Sequence, residues 1–183
     1  MPRRALVAGT SGSGKTTLAR RIAEALSAPH QELGGLYHGP GWVKRQDFVA
    51  DVTAIAEQPL WVSEWQYDEA RPILLRRADV MVWLDLPRRV GMRRVVWRTV
   101  LRRFRATALW NGNREAPLHT FFTDRDHVVR WAWRTHQQCA RRVAEAVKER
   151  GDLVVVRLRS QRDVDLWVAG PLATAAHGEP AVD

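Results

Sequence analysis

The 183-residue chain is 45% apolar and 27% charged, which is enough apolar sequence for a single buried core. No stretch approaches the roughly twenty uninterrupted apolar residues of a membrane span, so a helical anchor is excluded from the expected elements. Cys139 is the single cysteine, which excludes an intrachain disulfide and a cysteine-rich metal cluster, while a net charge of +9 leaves a polyanionic partner open.

Arg4 to Ala8 (RALVA) is an aliphatic run as long as a buried strand, and Thr16 to Leu26 sets Leu18, Ile22 and Leu26 at helical spacing. Between them runs Gly9-Thr10-Ser11-Gly12-Ser13-Gly14-Lys15-Thr16, a complete G-x-x-x-x-G-K-[ST] phosphate-binding pattern in the strand-loop-helix order such a loop needs. Glycine leaves the backbone amides free to turn around anionic oxygens, and the helix start adds the positive end of its dipole. Lys15 is expected to neutralise the β- and γ-phosphates of ATP, and the Thr16 hydroxyl to reach Mg²⁺. Gly9, Ser11, Gly12, Ser13, Gly14, Lys15, Thr16 and Thr17 are the expected nucleotide contacts. Arg3 and Arg4 lead straight into this strand and loop, so no secretory signal is expected and the cytoplasm is the expected compartment.

A short segment at His30 to Leu33 is followed by a loop rich in glycine (Gly34, Gly35, Gly39) and by a small helix from Asp47 to Glu57. Pro59 to Glu64 and the more apolar Asp79 to Asp85 read as strands, the second with the continuous pattern of a strand buried on both faces. Arg88 to Arg103 is a long basic helix. A polar segment with Asn111, Gly112, Asn113 and Pro117 precedes another helix, from about Asp126 to Arg150. Asp152 to Leu158 is the last strand, Ser160 to Val168 a closing helix, and Ala173 to Asp183 a small, polar tail. Strands alternating with helices predict an α/β fold: a five-stranded parallel sheet with helices on both faces, in one domain covering residues 1–172.

Ligands of such sheets bind beyond the carboxyl ends of the strands. Glu64 ends its strand there, where a carboxylate holds a water of the Mg²⁺ shell or orients an acceptor hydroxyl; otherwise it is a surface acid. Asp85 precedes Leu86-Pro87 and reads as a cap of the basic helix. In that helix Arg94, Arg98 and Arg102 share a face, beside a stripe of Arg89, Arg93 and Trp97. Such a face either clamps charge developing in phosphoryl transfer or is solvated, its long stems covering apolar surface. Only Lys15, Lys44 and Lys148 are lysines, and this arginine bias fits either polyanion binding or a GC-rich genome. Trp42, Trp65 and Trp110 fall in loops near the cleft, whereas Trp61, Trp83, Trp97, Trp131, Trp133 and Trp167 are expected in the core. His38, His119, His127 and His136 show no metal-ligand spacing.

Several segments in one order carry a family resemblance: GTSGSGKTTLARR, HGPGW at His38 to Trp42, MVWLDLPRR at Met81 to Arg89, WNGNRE at Trp110 to Glu115 and VVRLRS at Val155 to Ser160. Together they resemble the adenylate-kinase-related P-loop proteins labelled DNA topology modulation proteins, near nucleoside monophosphate and shikimate kinases. The resemblance implies ATP and Mg²⁺ as cofactors, an acceptor-binding segment at about 34–58 and a lid at about 106–124. It also implies Arg94 and Arg98 on the nucleotide and the transferred phosphoryl, with Arg157 and Arg159 at the edge of an adenine pocket. Two departures fall on the acceptor side: Gly34 stands where the family carries an aspartate, and Glu64-Trp65-Gln66-Tyr67 where it carries an acid-Gly-Asn-Tyr run. The expected function is an ATP- and Mg²⁺-dependent phosphotransferase acting on a specialised small-molecule acceptor, with Lys15, Glu64, Arg94 and Arg98 catalytic. The alternatives are a nucleic-acid-associated regulator that uses ATP as a switch and an ATP-binding protein without a small-molecule acceptor.

Overall fold

The computed structural model describes residues 2–104, 111 and 128–177. Five strands, β1 (Arg4–Gly9), β2 (His30–Gln31), β3 (Trp61–Glu64), β4 (Val80–Leu84) and β5 (Val154–Leu158), form one sheet in the order β2-β3-β1-β4-β5. All four pairings are parallel. β1 lies at the centre, where Ala5, Leu6, Val7 and Ala8 have no exposed surface. Its alternation feeds two cores: Ala5 and Val7 face one layer and Leu6 and Ala8 the other, which is why the strand reads as a continuous apolar run.

The first layer packs α1 (Lys15–Ala25) and α7 (Gln161–Trp167) against the sheet through Leu18, Ala19, Ile22 and Val164. The second packs α3 (Phe48–Ala56), α4 (Ala70–Arg77) and α6 (Val128–Glu149) through Phe48, Val52, Leu74, Leu75, Val143 and Ala146. The basic helix α5 (Arg88–Phe104) leaves the end of β4 beside the phosphate loop. α7 starts on a capping box in which Ser160 and Asp163 satisfy each other's backbone amides.

The expected fold is the observed one, with local differences. The glycine-rich stretch after β2 is helical in α2 (Leu33–Tyr37), because Leu33 and Gly34 are buried and Leu36 and Tyr37 pack on the second core. That burial outweighs the poor helix propensity of two glycines. α4 has no counterpart in the sequence reading; Pro72 sits in its first turn, where a missing N–H costs nothing, and Leu74 and Leu75 bury its short apolar face. Trp97, expected in the core, is 68% exposed on α5, since Val95 and Thr99 supply that helix's buried face. Residues Ala173–His177 form a helix, α8, behind a π-turn at Val168–Leu172.

Candidate active site

The loop from Gly9 to Thr16 closes on itself and on α5. The carbonyl of Thr10 accepts from the Ser13 amide at 3.2 Å and from Lys15 Nζ at 3.1 Å. Gly12 has φ of +75°, and a Cβ there would lie 2.4 Å from the Gly91 carbonyl oxygen and 2.6 Å from Val95 Cγ2. The first turns of α5 therefore press directly on the loop, and only glycine fits. Arg94 straps the same loop: Nη1 donates to the Ser13 carbonyl at 3.3 Å and Nη2 to Gln161 Oε1 at 2.9 Å. Lys15 has its pKa pushed down to about 8, mainly by loss of water around the ammonium and also by Arg98 and Arg71, against the pull of Cys139 and Glu64. A cation so poorly solvated is short of a counter-charge, which is the role a phosphate fills.

Glu64 reaches the same place from β3. Val7 pairs with Glu64, and His30 pairs with Val62, so His30, Val62 and Glu64 share the α1 face of the sheet. His30 Nε2 lies 3.3 Å from Glu64 Oε1. Oε2 is buried and accepts no hydrogen bond, in a residue that is 1% exposed. Burial alone would raise the Glu64 pKa, but hydrogen bonding and charge from His30, followed by the Thr16 side chain, bring it below the ordinary value. The group is thus an ionised carboxylate beside Thr16 with one oxygen uncommitted.

The region expected to take the acceptor is aromatic and basic. Tyr37 and Tyr67 stack at 4.0 Å, with Phe48 edge-on to both and His38 edge-on to Tyr37 and Trp42. Tyr67 and Trp42 both adopt φ of +62°, a left-handed conformation that costs a bulky residue about 1–2 kcal/mol and marks positions held by their surroundings. Burial, then the charges of Tyr37, Glu64 and Glu32, raise the Tyr67 phenol's pKa, so it stays a neutral hydroxyl. Trp65 is 6% exposed and belongs to the second core; its Nε1 donates to the Arg71 carbonyl at 3.2 Å, and the Arg71 guanidinium stands 5.8 Å from its ring centre. The indole expected near the cleft as a stacking surface is thus core, and Tyr37 and Tyr67 are half-buried against the same core. Arg71 and Arg142 share the exposed carboxylate of Asp68. Burial, then repulsion from Arg142, lowers the Arg71 pKa. Burial raises the Cys139 thiol, while Lys15, Arg71 and Arg142 pull it the other way.

Of the residues expected to bind nucleotide or metal or to act in catalysis, the structure brings Gly9 to Thr16, Glu64 and Arg94 together, and Arg98 is near enough to act on Lys15. Thr17 is exposed on the first turn of α1. Arg157 gives its guanidinium to Asp85, with Nε 2.9 Å from the carboxylate, and lies 4.6 Å over the Trp83 ring. Asp85 is therefore the partner of a neighbouring strand's arginine. Arg159 contributes its backbone amide to Asp163 at 2.8 Å. The lid range 106–124 lies outside the described residues apart from Asn111, whose amide donates to the carbonyls of Gly35 and His38. Trp110, His119 and His127, and the side chains of Arg102, Trp131, Trp133 and His136, also lie outside them. The sequence reading missed His30, Gly91 and Gln161, because each acts across strands or helices far apart in the chain.

No family model matches the chain, and no curated protein matches its sequence. Among solved structures it is similar to a gluconokinase from Sinorhizobium meliloti 1021, at 21% identity over 96% of this chain and 94% of that one, with a TM-score of 0.50. It is also similar to a shikimate kinase from Bacteroides thetaiotaomicron, at 15% identity over 92% and 96% of the two chains, with a TM-score of 0.48. The chain shares its α/β fold, a five-stranded parallel sheet between helices, with that gluconokinase. Among the described residues no helix is long and apolar enough to cross a membrane, and no group of three or more His, Cys, Asp or Glu side chains is placed to hold a metal by itself. Magnesium nevertheless fits a site shared with a nucleotide, since Glu64 Oε2 is a buried, unpartnered anionic oxygen beside Thr16.

Proposed function

We propose that this protein is a phosphotransferase that moves the γ-phosphoryl group of ATP to a small-molecule hydroxyl acceptor, and that Thr16 and Glu64 are the residues that would hold the accompanying magnesium. The observation that carries the reading is the convergence, on one loop, of a desolvated Lys15, the Arg94 strap and the uncommitted oxygen of Glu64. Magnesium, when bound, neutralises phosphate charge and organises its water shell. The chain's own part is to hold the rest in place. The loop amides surround the phosphates, and Lys15 and Arg98 stabilise negative charge as it shifts toward the bridging oxygen. Arg94 keeps the loop in shape, and Glu64 would supply a carboxylate oxygen to the metal. The segment 34–58, with Tyr67 and Arg71, forms the acceptor side. Its stacked tyrosines and neighbouring arginines suit an acceptor with a flat or anionic portion.

The test is transfer from ATP labelled on its γ-phosphate to a pool of small hydroxyl compounds. The wild type is expected to form a labelled product. Lys15→Ala should lower the rate by at least about a hundredfold and weaken ATP binding. Glu64→Gln should leave metal-free nucleotide affinity nearly intact and depress turnover. Full activity in Lys15→Ala overturns the mechanism, and an unchanged rate in Glu64→Gln removes that residue from it.

A further inference from the structure

We infer that His30 is a positioning residue for the metal shell: it ties down Glu64 Oε1 and so presents Oε2 to the magnesium that accompanies the nucleotide. The inference rests on the reading of Glu64 given above and extends it one shell outward. A glutamate has three rotatable bonds, and nothing in β3 fixes the last of them. The register of β2 on β3 does so, because His30 pairs with Val62 and therefore lies on the Glu64 face, one step back along the neighbouring strand. The imidazole is well placed to act as a fixed donor. Its side chain is 14% exposed, and its Nε2 lies 3.3 Å from Oε1. The other oxygen is left buried without a partner. In water a free carboxylate oxygen would cost nothing, but here it is an anionic acceptor without a hydrogen bond in a residue with 1% exposure, and a cation is one partner that would satisfy it. Thr16 and Lys15 also act on this carboxylate, and Thr16 is the residue whose hydroxyl the loop motif assigns to the metal. A ligand's hydrogen-bond partner orients it and sets its strength, and losing such a partner costs metal affinity roughly ten- to a hundredfold.

Binding of Mn²⁺ to the full-length protein with a non-hydrolysable ATP analogue, read by electron paramagnetic resonance, tests this without relying on turnover. His30→Leu should weaken Mn²⁺ by about tenfold or more, with metal-free analogue affinity unchanged. His30→Gln, which can present a donor at a similar reach, should recover most of the loss, and the shorter His30→Asn should not. If His30→Leu fails to fold, the Gln and Asn pair decides the question. Equal Mn²⁺ affinity in wild type and His30→Asn overturns the proposal. Glu64→Gln is the control that separates the two levels. If it weakens Mn²⁺ while the His30 variants do not, only the positioning role fails. If Glu64→Gln also binds Mn²⁺ like the wild type, the metal reading of Glu64 fails with it.

Discussion

On the phosphate side of the cleft the loop after β1 is shaped by backbone: Thr10 and Ser13 offer carbonyls to Lys15 and Arg94, and Gly12 lets α5 close to contact distance. On the proposed acceptor side the surface is made of side chains from α2, α3, α4, α6 and the loop after β3, stacked or ion-paired at Tyr37, Phe48, Tyr67, Arg71 and Arg142. A backbone cradle tolerates little change in its sequence, because each amide must point inward. A side-chain wall is rebuilt by exchanging residues one at a time. The difference teaches why the phosphate loop follows its general pattern closely while Gly34 and Trp65 depart from their resemblance, and why the chemistry of the donor is easier to read than that of the acceptor.

The comparison breaks most visibly at Trp65. Trp65→Ala removes a core indole that also holds the Arg71 carbonyl, and should lower unfolding free energy by about 3–5 kcal/mol in a denaturant titration. Nucleotide affinity of the folded fraction should be unchanged; a loss of affinity larger than the loss of stability would mean that the two sides are one unit. Gly12→Ala acts on the other side. The new methyl meets Gly91 and Val95 in a left-handed conformation, so a cost of about 2–4 kcal/mol is expected, with nucleotide binding lost as α5 is pushed off the loop. Gly41→Ala is the contrast. Its φ of +67° is as unfavourable, but a Cβ there meets nothing within 4 Å, so about 1 kcal/mol and no change in nucleotide binding are expected.

The smallest effect is in pH. Lys15 titrates at about 8 in the folded chain, against an ordinary value of 10.5. Between these values the unfolded chain binds the extra proton, so this lysine makes the ligand-free protein more stable as pH rises through that window. Affinity for ATP should move the opposite way, falling above about pH 8 as the cation is lost. Paired melting and binding titrations check both slopes, and Lys15→Arg, which keeps its charge, should flatten them. A wild-type affinity that does not fall would mean that Lys15 is resolvated or paired in solution.

The amino-acid sequence by itself determined the elements whose signal is local. The phosphate loop, the order of strands and helices, the apolar strand at β4 and the cap of α7 all follow from residues within a few positions of one another. The place of Glu64 at the end of a strand was legible too, and it is the position where ligands of such sheets are expected. What only the tertiary structure decided are relations between distant segments. The pairing of β2 with β3 sets His30 against Glu64, 34 positions away, and the packing of α5 on the loop makes glycine necessary at Gly12. Burial of Leu33 and Tyr37 turns a glycine stretch into a helix, and the free face of α5 leaves Trp97 in water. The physical reason is the same in each instance. Propensity and periodicity are written over a few residues, whereas strand register, burial and the pairing of charges depend on which surfaces meet after the chain has folded.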